Sequence, residues 1–169
     1  DRSRGLGDVY KRQIMKRLRF DNDTREKVMQ LVYYHDATFE VGEKYIKRWL
    51  NKIGEEQFRR LLNVRRADIK AQAYTDQESR LQKIDNIEYI LEEVLQKDEC
   101  FSLKDLAVDG NDLIEIGYKP GKEIGNTLNC LLQLVIEGVY LNEKSELLKY
   151  VETTKEWMKL GENYNGKII

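Results

Sequence analysis

Three groups of residues have types and spacing that could do chemistry. The first is a pair of separate metal-like candidates: His35-Asp36, in the run LVYYHD, and Asp68 in the later run RRAD, where an acid beside two arginines could be a metal ligand or an ion-pair partner. Imidazole nitrogen and carboxylate oxygen are ordinary ligands of a divalent metal. Two adjacent residues do not complete a site, and His35 is the chain's single histidine. The same residues also fit a buried, hydrogen-bonded histidine at a helix end, and an Asp68 ion-paired with its neighbouring arginines. The second group is basic: Lys44, Lys47, Arg48, Lys52, Arg59, Arg60, and Arg65 beside Arg66. Clustered cations on adjacent helices can neutralise phosphates and make binding salt-dependent. A solvated helix face has the same spacing. The third is the turn Gly117-Tyr118-Lys119-Pro120-Gly121-Lys122. Its glycines permit close backbone approach. A helix starting there offers unbonded N–H groups to a phosphate, with Lys119, Gly121 and Lys122 around it. A tight helix–helix turn would need glycine for shape alone.

Other chemistry has no support in the sequence. There is no P-loop, no GxGxxG, no nucleophile–histidine pair and no carboxylate pair at a nucleotidyl-transfer spacing. No catalytic residue is assigned.

The elements that must position these residues read as helices. Asp21 or Asp23 can cap a helix that runs to about Asp36; Asp23 with Glu26 would form a capping-box-like pair. Val28, Leu31, Val32 and His35 fall on one stripe, which places His35 among buried residues. The next helix is expected to open at Phe39-Glu40-Val41 and to end at Gly54. Val41, Tyr45, Trp49 and Ile53 form its apolar stripe; Lys44, Lys47, Arg48 and Asn51 lie on another side. Glu55-Glu56 begins a third helix, with acids near its N-terminal dipole, and Phe58, Leu61, Leu62 and Ile69 mark its core. A long helix from Asp76 to about Lys97 turns Leu81, Ile84, Ile87, Leu91, Val94 and Leu95 inward. Ser102 can cap a short helix, Leu103 to Ala107, and Asp109 another that ends at Gly117. Pro120 precedes a helix that reaches Gly138, and Asn142 caps the last, with Leu147, Leu148 and Val151 inside. From about Lys159 the Gly/Asn-rich end is expected to fray.

The bulk composition agrees with an all-α chain without significant sheet. Of 169 residues, 41% are hydrophobic, enough for a core, and there is one proline. No apolar run approaches the ~18 residues that a membrane span needs. Cys100 and Cys130 lack CxxC spacing, so reduced thiols of a cytoplasmic protein are expected. The net charge of −1 conceals an asymmetry: residues 14–74 carry net +5 and residues 75–169 net −8. A polyanion would be gripped by the first half.

Ser3–Gln13, SRGLGDVYKRQ, resembles the translated adapter of a transposon-based sequencing library. That resemblance implies that residues 1–13 are foreign, disordered or loosely helical, and that natural sequence is missing upstream. The alternative is a genuine basic arm.

The runs RLRFDNDT, LVYYHD and LLNVRRADIKAQA, then CFSLKDLAVDGNDLI through KPGKEIG to LN, occur in this order between Ile14 and Val151. Together they resemble the latter part of bacterial CCA-adding tRNA nucleotidyltransferases that carry an HD domain. The resemblance implies an all-α, multi-helix HD-like and body region over 14–75, a helical body or tail domain over 76–153, and an extension at 154–169. Such enzymes add cytidine, cytidine and adenosine to the tRNA 3′ end. Their catalytic head, with its Mg2+-binding carboxylates, would lie outside this chain, as would the first ligands of the HD motif. His35 and Asp36 resemble the later His-Asp of that motif, and Asp68 its terminal aspartate. These three are then an incomplete metal site. The implied partners are tRNA and the missing head, with no membrane; the fragment itself implies no cofactor. The alternatives are an HD-type metal-dependent phosphohydrolase module and a purely structural helical domain.

Overall fold

The structure, a computed structural model, describes the backbone of residues 2–72, 75–97 and 100–165, and side chains over 10–72, 75–97 and 100–155. Seven helices and no strand are found among the described residues. The chain divides into two compact units, Asp1–Glu93 and Val94–Ile169.

The first unit opens with α1, Arg2–Arg17, which contains the adapter-like segment. α2, Asn22–Tyr34, is capped by Asp21, whose carboxylate accepts from the Thr24 N–H at 2.8 Å and the Thr24 hydroxyl at 2.6 Å. Those two bonds hold the Asp21 carboxyl below its usual range. Asp23 lies inside α2, where it pairs with Lys27 at 2.8 Å, so the cap is Asp21 and no Asp23–Glu26 box forms. α2 stops at Tyr34, and its buried residue is Met29. His35, expected on the buried stripe, is exposed at the C-cap, because the helix ends before that stripe reaches it.

α3, Glu43–Ala71, comprises the two helices expected on either side of Gly54, whose φ of 75° and ψ of 164° interrupt the helical backbone. Glycine alone adopts that combination readily, so the expected stop at Gly54 is also the break between the two helical halves. α3 begins at Glu43 rather than at Phe39. Phe39 lies in the preceding segment and is buried, while Val41 is exposed. The core stripe of the first half is Ile46 and Leu50, offset from the expected stripe; Tyr45, Trp49 and Ile53 flank it half-buried. The second half buries Gln57, Phe58, Leu61, Leu62 and Ile69. Rings lock the two halves: Trp49 stacks on Phe58 across the break, 5.9 Å between centroids, with Phe39 against both. Gln57 is a satisfied buried amide. Its nitrogen donates to the Lys27 carbonyl and the Gln30 side chain, each at 3.0 Å, and its oxygen accepts from Arg60 at 3.1 Å, tying α2 to α3.

α4, Gln77–Gln96, buries Ile84, Ile87, Leu91 and Val94, as its periodicity requires. Leu81 and Leu95 are half-buried.

The second unit holds α5, Gly110–Glu115, α6, Lys122–Ile136, and α7, Lys144–Asn165. Asp109 caps α5 in a full capping box with Asp112, as expected for the cap. Gly117 follows with φ 87°, the left-handed conformation that closes such a helix. Leu113, Leu131, Leu132, Ile136, Leu147 and Val151 form the core with Val108. Residues 103–107 do not form a helix. The Ser102 N–H and hydroxyl both donate to the Asp105 carboxylate, at 3.0 and 2.7 Å, and close a turn instead. Asn142 does not cap α7. Its side chain accepts from the Ala107 N–H at 2.8 Å and donates to the Asp105 carbonyl at 2.7 Å, pinning that turn. Neither cysteine is in a disulfide; Cys100 is buried and Cys130 exposed. The backbone of α7 is helical to Asn165; residues 166–169 of the expected frayed end lie outside the described residues.

Candidate nucleic-acid interface

The break at Gly54 separates the expected basic residues into two sets along α3. In the second half of α3 the arginines are committed to carboxylates. Arg59 Nη1 donates to Glu92 at 2.6 Å, and its Nε to Glu55 at 2.8 Å. Arg66 reaches Asp85 at 2.7 Å and Glu88 at 2.6 Å. Arg60 pairs with Glu56 at 2.5 Å. Donating to the carboxylates of Glu92 and Glu55 raises the affinity of Arg59 for its proton, and the Asp85 carboxylate does so for Arg66. These cations fasten α4 and stiffen α3. Their charge is largely cancelled by neighbours, so they offer little to a phosphate.

The first half of α3 carries the other set. Lys44, Arg48 and Lys52 are exposed and Lys47 is half-buried. The three exposed charges lie over rings: Lys44 Nζ is 5.1 Å and the Arg48 guanidinium 5.2 Å from the Tyr45 centroid. Lys52 Nζ is 4.7 Å from Tyr34 and 5.3 Å from Trp49. A cation over a ring face is held in place without losing its charge. Tyr33 meets Tyr34 edge-on, 4.8 Å between centroids, and is itself 64% exposed. The rings Tyr33, Tyr34 and Tyr45 were not among the expected site residues. Their signal was present in sequence, as tyrosines interleaved with lysine and arginine at helical spacing, but the same spacing marks a half-buried core stripe.

The metal-like residues do not form a site by themselves. The His35 ring donates from Nδ1 to the Val32 carbonyl at 2.6 Å. Arg65 donates to the His35 carbonyl at 3.0 Å and lies 3.7 Å from Asp68, whose other oxygen accepts from Gln72 at 2.8 Å. Arg65 therefore bridges the end of α2 to Asp68, and the positive charge beside Asp68 is a guanidinium. Among the described residues no three His, Cys, Asp or Glu side chains gather into a group that could hold a metal ion, and the trio with Asp36 does not fit one alone.

In the second unit, Lys119 and Lys122 are exposed, and Gly121, φ 155°, precedes α6 with no side-chain cap over its first N–H groups. Lys155 fixes the turn from beneath, donating to the carbonyls of Ile116 at 3.3 Å and Gly117 at 3.0 Å and lying 4.4 Å over the Tyr118 ring.

Residues 5–151 match the family described as "tRNA nucleotidyltransferase domain 2 putative"; the match begins within the adapter-like segment. Three CCA-adding enzymes share shorter stretches with the chain. That of Lactobacillus helveticus is 42% identical over 48 residues, that of Limosilactobacillus fermentum 44% over 45, and that of Lacticaseibacillus paracasei 45% over 47. These stretches are 28%, 27% and 28% of this chain, but the chain spans only 12%, 11% and 12% of the relatives' own length. No solved structure matches the chain. With most of its length covered by one match, the chain belongs to the tRNA nucleotidyltransferase domain 2 family.

Proposed function

We propose that this chain is a tRNA-holding helical part of a CCA-adding tRNA nucleotidyltransferase working in the cytoplasm. The observation that carries the reading is the division of α3 at Gly54. Before the break, Lys44 and Lys52 are exposed over the rings of Tyr45, Tyr34 and Trp49, on the same helical half as Lys47 and Arg48; after it, Arg59 and Arg66 are bound to acids of α4. Phosphate contact belongs to the first set, with Arg65, Arg66, Arg59 and Arg60 giving shape to the unit. The turn of Lys119, Gly121 and Lys122 supplies a second backbone contact from the other unit. Nucleotide transfer and its Mg2+ belong to a catalytic head outside this chain. No described helix is long and apolar enough to cross a membrane.

Such a grip reads charge and shape more than sequence. Filter binding of a tRNA transcript to the 169-residue chain is the test. With four phosphates neutralised, raising salt from 50 to 200 mM weakens binding by roughly 50- to 150-fold. Binding that ignores salt, or no binding at low salt, would refute the proposal.

A further inference from the structure

Beside Tyr33 and Tyr34 the first unit has a groove of about 390 Å³, with Met29 and Gln30 also in its wall. We propose that this groove seats one unpaired RNA base against Tyr33 while Lys52 holds the adjoining phosphate. The inference rests on the RNA-binding reading above and names the form of RNA that this face takes.

Three observations converge on it. The first is the ring. Tyr33 is 64% exposed, yet its edge contact with Tyr34 fixes it, so it presents a stable aromatic surface to solvent. Stacking on such a surface tolerates any base, because every base has a π-face. The second is charge. The groove's rim is internally balanced: Lys27 is paired with Asp23 at 2.8 Å, and Arg12 lies 3.9 Å from Glu26. A neutral groove suits the uncharged base. The nucleotide's negative charge then falls to Lys52, 4.7 Å from the Tyr34 centroid, while Tyr34 in turn stands 4.8 Å from Tyr33. The order cation, ring, ring places a phosphate site next to a base site on one continuous surface, with Lys44 and Arg48 further along α3. The third is polarity. The Gln30 oxygen already accepts from Gln57 at 3.0 Å, which leaves its amide N–H pair as the group it can offer to acceptors on a base edge. A base within a duplex is stacked on its neighbours and has no free face, so the occupant is an unpaired nucleotide.

The test uses the 169-residue chain, fluorescence anisotropy, and two probes: a single-stranded oligoadenylate of about ten nucleotides and an RNA duplex of equal length. Tyr33→Leu removes the π-face and keeps apolar volume; Tyr33→Phe keeps the ring. Leucine should weaken the single strand about five-fold or more, phenylalanine should stay within about two-fold of the parent, and neither should change duplex binding. Circular dichroism confirms that the variants fold. If Tyr33→Leu leaves the single strand unaffected, or weakens duplex and single strand alike, the base seat is overturned. A combined Lys44, Arg48 and Lys52 to Gln variant separates the two ideas. Loss of binding there, with none in Tyr33→Leu, removes the seat and keeps the RNA surface. Unchanged binding in both removes the RNA reading itself.

Discussion

Replacing Gly54 with alanine should destabilise the first unit, and the sign of the effect decides whether α3 is broken in solution. At φ 75° and ψ 164°, Gly54 occupies a region closed to ordinary L-residues at a cost of about 1–3 kcal/mol. A Cβ added there would meet no atom within 4 Å, so the cost is one of backbone alone and no repacking relieves it. Alanine also restricts the unfolded chain, which returns about 0.4–1 kcal/mol. The net loss is then roughly 0.5–2 kcal/mol. For a unit of this size, each kcal/mol lowers the Tm by about 4–8 °C. Thermal and urea unfolding followed by far-UV circular dichroism measure that loss. Near-UV circular dichroism reports the Trp49–Phe58 stack that spans the break. If α3 ran straight, the same substitution would replace a helix-interior glycine and stabilise by about 1 kcal/mol. A raised Tm would therefore refute the broken helix, and with it the division of the basic residues into two sets.

Leu131, fully buried in the second unit, should cost about 2–5 kcal/mol as Leu131→Ala in urea unfolding, whereas a surface position would cost almost nothing. Asp112 should make the second unit acid-sensitive. Its carboxyl is held below its usual value of 3.8 by the Lys144 ammonium, 2.5 Å away, and by the Asp109 N–H. The unfolded chain then takes the proton first. The stabilisation is complete above about pH 3.8 and is lost as pH falls through the lower folded value. An Asp112→Asn variant should be less stable than the parent at neutral pH, with the gap closing in acid; a gap constant with pH would contradict that linkage.

The parts of this fold that were legible in sequence are those set by neighbours along the chain. Asp109 and Gly117 mark the ends of α5 because a cap and a left-handed residue act within one turn. Ile84, Ile87, Leu91 and Val94 obey the 3.6-residue period. Gly54 was legible as a conformational signal, with one helix ending there and another opening at Glu55, because a left-handed glycine and the acids after it act within one turn. The misreadings share a different cause. His35 is exposed because α2 stops one residue earlier than its stripe suggests. Ser102 closes a turn because Asp105 and Asn142 compete with the helix for the same backbone groups. The candidate surface was legible only as a set of cations. Which of them are neutralised depends on α4 lying against the second half of α3, where Glu92, Asp85 and Glu88 meet Arg59 and Arg66. Those partners stand 33, 19 and 22 residues away in the chain, counted from Arg59 to Glu92 and from Arg66 to Asp85 and Glu88, beyond the reach of local pattern.

The most direct test compares salt dependence of tRNA binding in two charge variants. One replaces Lys44, Lys47, Arg48 and Lys52 with glutamine; the other replaces Arg59 and Arg66. The first should flatten the slope of log affinity against log salt by about 2.8–3.6, because each phosphate left without its cation removes ~0.7–0.9. The second should lower the Tm and leave the slope within about half a phosphate's share of the parent. Equal flattening in both, or an unchanged slope in the first, would contradict the assignment of the RNA surface to the half of α3 before Gly54.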